Sequence, residues 1–308
     1  MRPVRRLAAL AALLLLTGCT SAVPKDFAAE VLPSPSAQPP LLSVHIAETG
    51  ILASMDIETY VAGVVAGEMP SSWPLEALKA QAILARTFVL KFVSEKESRY
   101  PGAHISTDIA EAQAYNAGAV NSRILQAVQE TAGLILLTGD GQLPYTWFHS
   151  HSGGMTETAV DGIDWRGAEP AYTRVTEGRE ADDAAWSASF TRDEFLAACR
   201  DAGYPLTACS RITVGEKGQS GRAVTLLVDG TAVNAARLRI ALGSSKMRSA
   251  LLTALTVEGD TIRMSGRGYG HGVGMSQWGA HALAEAGWRA EDIALHYYTG
   301  LKIVRAWE

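Results

Sequence analysis

The sequence predicts an α+β fold, a single compact extracytoplasmic domain with irregular mixed helices and mostly antiparallel strands. Two patterns lead to this prediction. Apolar residues recur at three and four positions in some segments, which indicates helices, and alternate in others, which indicates strands. These segments follow one another in uneven blocks instead of a regular βαβ series. With 308 residues and 47% hydrophobic content, the chain is long enough to bury a sizeable core.

The first residues predict export. Three arginines among the first six residues precede the apolar run 7–16, which is too short for the roughly twenty residues that a membrane-spanning helix needs. The run ends in Leu16-Thr17-Gly18-Cys19, a pattern typical of a lipobox. We therefore expect residues 1–18 to be a lipoprotein signal peptide, and a lipid on Cys19 to anchor an extracytoplasmic protein to the cell membrane. An ordinary signal peptide with a chance cysteine is the alternative.

Residues 19–40 are rich in proline and serine and predict a tether, which leaves 41–308 as the folded domain. Loss of residues 1–18 removes three of the 27 Lys and Arg residues, so 24 remain against 32 Asp and Glu, and the net charge is −8. A protein this acidic lacks the overall field to hold nucleic acid, so we exclude nucleic-acid partners. Cys199 and Cys209 either form a disulfide or remain two buried free thiols.

The predicted elements follow in chain order. A strand covers 41–46, and a helix with apolar residues at helical spacing covers 57–68, capped by Asp56 and stopped by Pro70. A longer helix starts near Pro74, a residue favoured in the first turn. Further strands are expected at 133–137, 145–152, 212–214, 223–228 and 261–265, and shorter helices near 192–202, 235–242, 278–285 and 292–298.

Glu68 is the first candidate for chemistry. It lies in the last turn of an apolar helix, where the negative end of the helix dipole and partial burial both raise the pKa of a carboxyl group. A raised pKa suits a general acid that works near neutral pH. The alternative is a solvated glutamate at a helix end.

A glycine-rich segment, Gly266-Arg267-Gly268-Tyr269-Gly270-His271-Gly272-Val273-Gly274, is the second candidate. If this segment is extended, glycine at every second position leaves one side bare, so that a flat polar polymer can approach the backbone. Tyr269 and His271 would then project from the other side. The alternative is a tightly packed loop in which the glycines have backbone roles only.

The third candidate is the segment 145–154. Four of its side chains share one face of the predicted strand and form a surface suited to stacking on sugar rings: Tyr145, Trp147, His149 and His151. A metal site on the two histidines is a weaker alternative. A serine hydrolase built on Ser150 or Ser152 is weaker still, because Gly-x-Ser-x-Gly is absent.

Three motifs in order resemble the stage II sporulation protein D family, also called SpoIID/LytB. They are Tyr60-Val61-Ala62-Gly63-Val64-Val65-Ala66-Gly67-Glu68-Met69-Pro70 with Trp73-Pro74-Leu75-Glu76-Ala77-Leu78-Lys79-Ala80-Gln81-Ala82 and Ala85-Arg86-Thr87, then Ser152-Gly153-Gly154-Met155-Thr156-Glu157, and Gly268 to Ala280. The last match continues through His296-Tyr297-Tyr298. The resemblance runs in the family's order from about residue 42 to residue 305, which is nearly the whole mature chain.

The resemblance implies a peptidoglycan lytic transglycosylase with Glu68 as its single catalytic acid and base and with no cofactor. Such an enzyme cleaves MurNAc-GlcNAc bonds, preferentially in peptide-stripped glycan strands, and forms 1,6-anhydro-MurNAc ends. Substrate-binding residues are expected among Gln81, Arg86, His149, Ser152, Tyr269, His271 and Gln277. For Arg86, a structural ion pair is the alternative. Some relatives modify a wall amidase instead, which makes a non-catalytic glycan-binding enhancer, with a wall amidase as partner, the alternative function.

The sequence departs from the family at one site. Some members hold zinc through a Cys…His-Cys motif ahead of a Gln-x-Tyr triplet. Here Gln113-Ala114-Tyr115 follows Glu111 and Ala112, and Ser106 stands where the earlier cysteine would fall. We therefore expect no zinc at this site, and local order from packing or another contact.

Overall fold

The computed structural model describes residues 38–308. Cys19, the signal peptide predicted over 1–18 and most of the predicted tether lie outside the described residues. Within 38–308 the fold is α+β, as predicted, with mostly antiparallel strand pairs. No helix in this range is both long and apolar enough to cross a membrane.

The described part of the chain contains eight α-helices. They are α1 Ile57–Glu68, α2 Leu75–Glu95, α3 Ser122–Glu130, α4 Ala159–Ile163, α5 Arg192–Asp201, α6 Ala235–Ala241, α7 Gln277–Glu285 and α8 Ala290–His296. A 3-10 turn covers Ala117–Ala119. The predicted helices agree with these bounds to within about two residues, and neither α3 nor the short α4 was predicted.

Thirteen short strands form five small sheets within the described residues. They are β1 Leu41–Ile46, β2 Ile51–Asp56, β3 Ile105–Ser106, β4 Leu134–Leu137, β5 Phe148–His149, β6 Trp186–Thr191, β7 Ile212–Val214, β8 Thr225–Val228, β9 Thr231–Asn234, β10 Leu252–Glu258, β11 Thr261–Gly266, β12 Met275–Ser276 and β13 Lys302–Arg305. The strand orders are β2-β1-β3, β10-β11-β6, β12-β5, β13-β4 and β7-β8-β9. Among the strand pairs of residues 38–308, the β1-β3 and β12-β5 pairs are parallel and the others are antiparallel.

Two separate buried clusters lie within the predicted domain 41–308. The larger joins the first part of the domain (α1, α2, α3, β1 and β4) to its last part (α7, α8 and β13). The smaller lies wholly between Trp186 and Met264, where β6, β8, β11, α5 and α6 surround it. The chain therefore leaves the first cluster, builds the second, and returns to complete the first with residues from 275 onward.

The turn between α1 and α2 sets the position of the first candidate. The Asp56 carboxylate accepts the Thr59 N–H at 2.9 Å and caps α1, as predicted. Met69 is extended and ends the helix. Trp73 is 9% exposed, so it anchors the turn before α2 begins. Glu68 is thus the last helical residue before a fixed turn, at the negative end of the helix dipole.

Candidate active site

The carboxyl group of Glu68 receives two hydrogen bonds from distant parts of the chain. Ala114 N–H donates to Oε1 at 2.8 Å, and Gln277 Nε2 donates to Oε2 at 3.0 Å. Burial raises the pKa of this carboxyl, while the two donors stabilise its ionised form and lower the pKa in part. A carboxyl with a raised pKa keeps its proton to higher pH than an exposed glutamate does, and it can also accept a proton back, as a general acid and base requires.

The backbone next to Ala114 reaches Glu68 because α1 carries glycines on the facing side. A Cβ on Gly67 would lie 2.8 Å from the Ala114 carbonyl carbon and the Tyr115 nitrogen. A Cβ on Gly63, one turn earlier, would lie 2.2 Å from the Tyr115 ring. Asn116 N–H also donates to Gly63 O at 2.9 Å. The two glycines therefore allow this segment to lie against the helix and to aim one N–H at the acid.

Gln277 is the first residue of α7, and the start of that helix is held on two sides. The Ser276 hydroxyl accepts from Gly279 N–H and caps α7. Met275 and Ser276 also form β12, which pairs in parallel with Phe148 and His149 of β5. Gln277 is 5% exposed, so its amide has little freedom. The structure brings this predicted site residue into direct contact with Glu68.

A buried carboxylate that the sequence did not reveal, Glu180, supports the same region. Its side chain is 2% exposed. It accepts the Ser152 N–H at 2.6 Å and the Ser152 hydroxyl at 2.9 Å, and also the hydroxyl of Ser276. Since Ser276 caps the helix that begins with Gln277, Glu180 joins the Ser152 loop to the residue that contacts Glu68.

The two predicted site histidines form a neutral pair next to this region. The rings of His149 and His271 lie 5.5 Å apart. His149 Nδ1 lies 3.1 Å from Val273 O, while no described residue pairs with its Nε2. Burial lowers the pKa of His149, and burial together with the charges of Arg239 and Arg222 lowers the pKa of His271 to about 3. Neither ring is therefore suited to act as a proton donor at neutral pH.

The glycine-rich segment is not extended, and this expectation was wrong. Gly268, Gly270, Gly272 and Gly274 all have positive φ, so the segment is a coiled loop. A Cβ on Gly274 would lie 2.0 Å from Trp147 O, a contact that only glycine tolerates. The packed-loop alternative describes this segment, with its glycines facing neighbouring protein instead of solvent.

The predicted sugar-stacking face is also largely inaccessible. Only Phe148–His149 of the expected strand pairs in a sheet, and Tyr145, His149 and His151 are at most 5% exposed. Tyr145 stacks on Trp147 with ring centroids 5.4 Å apart. These aromatic side chains pack against one another instead of forming an open surface.

An accessible aromatic group is formed instead by residues that follow Glu68 and its partner Gln277 in the chain. Trp278 follows Gln277 and is 45% exposed, and its ring lies 4.7 Å from that of Trp73 in the turn after Glu68. The His281 ring completes the group, 4.9 Å from Trp73. Trp278 lies within the motif from Gly268 to Ala280, but its exposure could not be predicted without the fold.

Of the remaining predicted site residues, Arg86 lies away from Glu68. It is fully buried and pairs with Glu58, 2.6 Å from Nη2 to Oε2, so the structural ion pair describes it. Glu58 lies in the first turn of α1, about 15 Å along the helix axis from Glu68 at about 1.5 Å per residue. Gln81 is fully buried in α2, and no described residue pairs with its amide. Tyr269 is 37% exposed, with the Arg248 guanidinium over its ring.

The positions that hold zinc in some relatives do not fit a metal here. The Glu111 carboxylate is occupied, because it accepts from the Ser98 hydroxyl and from Arg99 N–H at 2.6 Å. Ser106 and Ala112 add no strong ligand. These polar contacts, with Tyr115 packed on α1, order the segment instead. Cys199 and Cys209 are both buried free thiols in the structure, so the disulfide alternative is not adopted.

Comparison with known proteins places the chain among its relatives. A family model described as "Stage II sporulation protein" matches residues 46–137. Stage II sporulation protein D of Bacillus subtilis (strain 168) is 32% identical, over 93% of this chain and 84% of that protein. The chain belongs to the stage II sporulation protein D family. Membership of this family supports a role connected with the cell wall.

Further similarities agree with this family. Stage II sporulation protein D of Bacillus amyloliquefaciens is 32% identical over 89% of this chain and 81% of that protein. The "Amidase enhancer" of Bacillus subtilis (strain 168) is 27% identical over 77% of this chain, but this match spans 39% of that protein. A second model, "Domain of unknown function (DUF8618)", matches residues 182–274 and coincides with the second buried cluster.

Proposed function

We propose that this family member is an extracytoplasmic lytic transglycosylase that cleaves the MurNAc-GlcNAc bond of peptidoglycan, preferentially in peptide-stripped strands, with Glu68 as acid and base. The observation that carries the proposal is the Glu68 carboxyl group, half-buried, raised in pKa, and held by one backbone donor and one side-chain donor. Its pKa is raised by burial, and no neighbouring carboxylate of the described residues contributes to the shift.

A single carboxyl group suits this reaction better than it suits hydrolysis. Glycoside hydrolases use two carboxyl groups about 5–9.5 Å apart, one of them to activate water or to attack the sugar. In the proposed reaction the Glu68 proton passes to the glycosidic oxygen as the C1–O bond breaks. The Glu68 carboxylate then removes the proton of the muramic acid C6 hydroxyl, whose oxygen closes on C1. Glu68 regains its proton, and no water is consumed.

The surroundings supply the other needs of this chemistry. Gln277 and Ala114 N–H hold the carboxylate in one orientation and stabilise it after the proton has left. Trp278 follows Gln277 in the chain and is 45% exposed, so it offers an aromatic face on which a sugar ring can stack. A lipid on Cys19 would keep the domain at the membrane and near its polymer.

The direct test is analysis of the soluble products released from peptide-free glycan strands by the wild-type protein and by the Glu68→Gln variant. The proposal predicts anhydro-muramyl oligosaccharides from the wild type only. Full activity of the variant would exclude Glu68 as the acid. The relative named amidase enhancer favours a second function, a glycan-binding partner of a wall amidase. In that case neither protein releases product alone, and both stimulate an added amidase equally.

A further inference from the structure

A cavity beside the second buried cluster contains an arginine with no compensating charge. The cavity has a volume of about 170 Å³ and lies between α4, α6 and the glycine-rich loop. Arg239 of α6 reaches it, and the only hydrogen bond of this guanidinium to a described residue is from Nε to Arg248 O at 2.9 Å. No Asp or Glu within residues 38–308 lies within 4.0 Å of its nitrogens. Nη1 and Nη2 are left for another acceptor.

The other charged groups that line the cavity already have partners. Arg237 pairs with Asp164, with Nε 2.6 Å from Oδ2. The second oxygen of Asp164 accepts from Asn234 Nδ2 at 3.0 Å, so this carboxylate is not free for Arg239. His271 is neutral at physiological pH because its pKa is lowered to about 3. The cavity therefore has a net charge of about one positive unit, which comes from Arg239.

Partial burial makes this charge less favourable than it would be in water. It lowers the pKa of Arg239 to about 10, and pairing with an anion would offset the cost of desolvating the guanidinium. The planar fork of a guanidinium matches a carboxylate through two parallel hydrogen bonds. One unpaired positive charge balances a carboxylate, whereas a phosphate dianion would leave one negative charge uncompensated. The rest of the lining is apolar, including Ile163, Ala250 and the 71% exposed Ile240.

We propose that this cavity binds a carboxylate carried on a small apolar group, and that in the cell wall this ligand is the lactyl group of muramic acid. This identification rests on the proposed function. The lactyl group carries one methyl and one carboxyl on a single carbon, which matches the apolar lining and the Arg239 guanidinium. In an intact strand the stem peptide converts this carboxyl to a neutral amide, whereas a peptide-stripped strand carries it free. Arg239 would thus favour stripped strands.

The test measures binding instead of cleavage. The full chain carrying Glu68→Gln is titrated with N-acetylmuramic acid, with its neutral carboxamide and with N-acetylglucosamine, while the methyl signals of Ile163 and Ile240 are followed by NMR. We expect N-acetylmuramic acid to shift both signals and to bind at least about tenfold more tightly than the carboxamide. Arg239→Gln should abolish that difference, and Arg239→Lys should keep part of it.

Arg263→Gln is the matched control, because the Arg263 side chain is 59% exposed on β11 and lies 3.6 Å from Glu258. It should keep the full preference. The inference is overturned if Arg239→Gln retains the preference in a protein whose other methyl signals are unchanged, or if N-acetylmuramic acid shifts neither isoleucine signal in the parent protein. Failure of glycan cleavage with retained carboxylate preference would count against the transglycosylase proposal alone.

Discussion

Gln277 Nε2 donates a hydrogen bond to Glu68 Oε2 at 3.0 Å, although 209 positions separate the two residues in the chain. The contact joins the beginning of α7 to the end of α1 across the larger buried cluster. It makes the state of the carboxyl depend on the packing of the last third of the protein against the first.

Replacement of Gln277 by leucine should change the pH dependence of cleavage. The Gln277 amide stabilises the ionised carboxylate and lowers the Glu68 pKa, which burial raises. Without it the pKa rises further. Because the acid must be protonated, activity is lost as pH rises through this pKa, and the loss should move to higher pH.

The measurement is the pH profile of kcat/KM on peptide-free strands. Gln126→Leu is the control, since Gln126 Nε2 donates to Glu130 on the exposed face of α3. Its profile should equal that of the wild type. An alkaline limb that moves to lower pH in Gln277→Leu would contradict the assignment of Glu68 as the acid.

Gly67→Ala should reduce cleavage without unfolding the protein. In an open helix position this change stabilises by up to about 1 kcal/mol, but here the new Cβ would lie 2.8 Å from the Ala114 carbonyl carbon. The segment that donates to Glu68 must move away. We expect kcat to fall by about tenfold or more, because a displacement of about 1 Å is costly in catalysis. Gly139→Ala, with no atom within 4 Å of its added Cβ, is the control for steady-state assays.

Glu180 and Asp182 allow a comparison between a buried and an exposed carboxylate near one histidine. Glu180 is 2% exposed and accepts from Ser152 and Ser276, whereas Asp182 is 79% exposed and lies 3.0 Å from His151 Nε2. Glu180→Gln should lower the free energy of unfolding by about 2 kcal/mol, since charged acceptors of buried hydrogen bonds are lost. Asp182→Asn should change it by less than about 1 kcal/mol. Urea unfolding of both variants measures this, and equal effects would refute the supporting role of Glu180.

Trp278→Ala should weaken glycan binding more than it weakens the fold. Trp278 is 45% exposed, so nearly half of its surface is free to contact a glycan, while the rest packs on Trp73. Dissociation constants for peptide-free strands should rise by about tenfold, equivalent to about 1.4 kcal/mol. Trp288→Ala is matched, since Trp288 is 38% exposed but its ring contacts His296 instead of Trp73. Calorimetric titration in the Glu68→Gln background would show whether Trp278→Ala raises the dissociation constant while Trp288→Ala leaves it unchanged.

The sequence predicted the local part of this site and not the parts that depend on tertiary structure. The helix that ends at Glu68 follows from its cap and its apolar spacing, and both are local signals. Glu180 gave no signal, because nothing in its neighbourhood in the chain shows that it is buried against Ser152. Arg86 lies close to Glu68 in the chain, yet it pairs with Glu58 at the other end of α1.

The glycine-rich segment shows why alternation alone misled. A period of two is typical of a strand when every residue has a negative φ, but the four glycines from Gly268 to Gly274 adopt positive φ, which turns the backbone at each one. The same freedom lets the loop pack against Trp147 O and the Arg222 guanidinium. Residue spacing could not distinguish these two uses of glycine.

The role of Glu68 is tested most directly by cleavage of peptide-free glycan strands in water labelled with heavy oxygen. If Glu68 directs the muramic acid C6 hydroxyl onto C1, the new muramyl ends carry no label and have the mass of the anhydro sugar, and Glu68→Gln releases no such ends. Incorporation of one labelled oxygen at each new muramyl end would show that water is the nucleophile and would contradict the account.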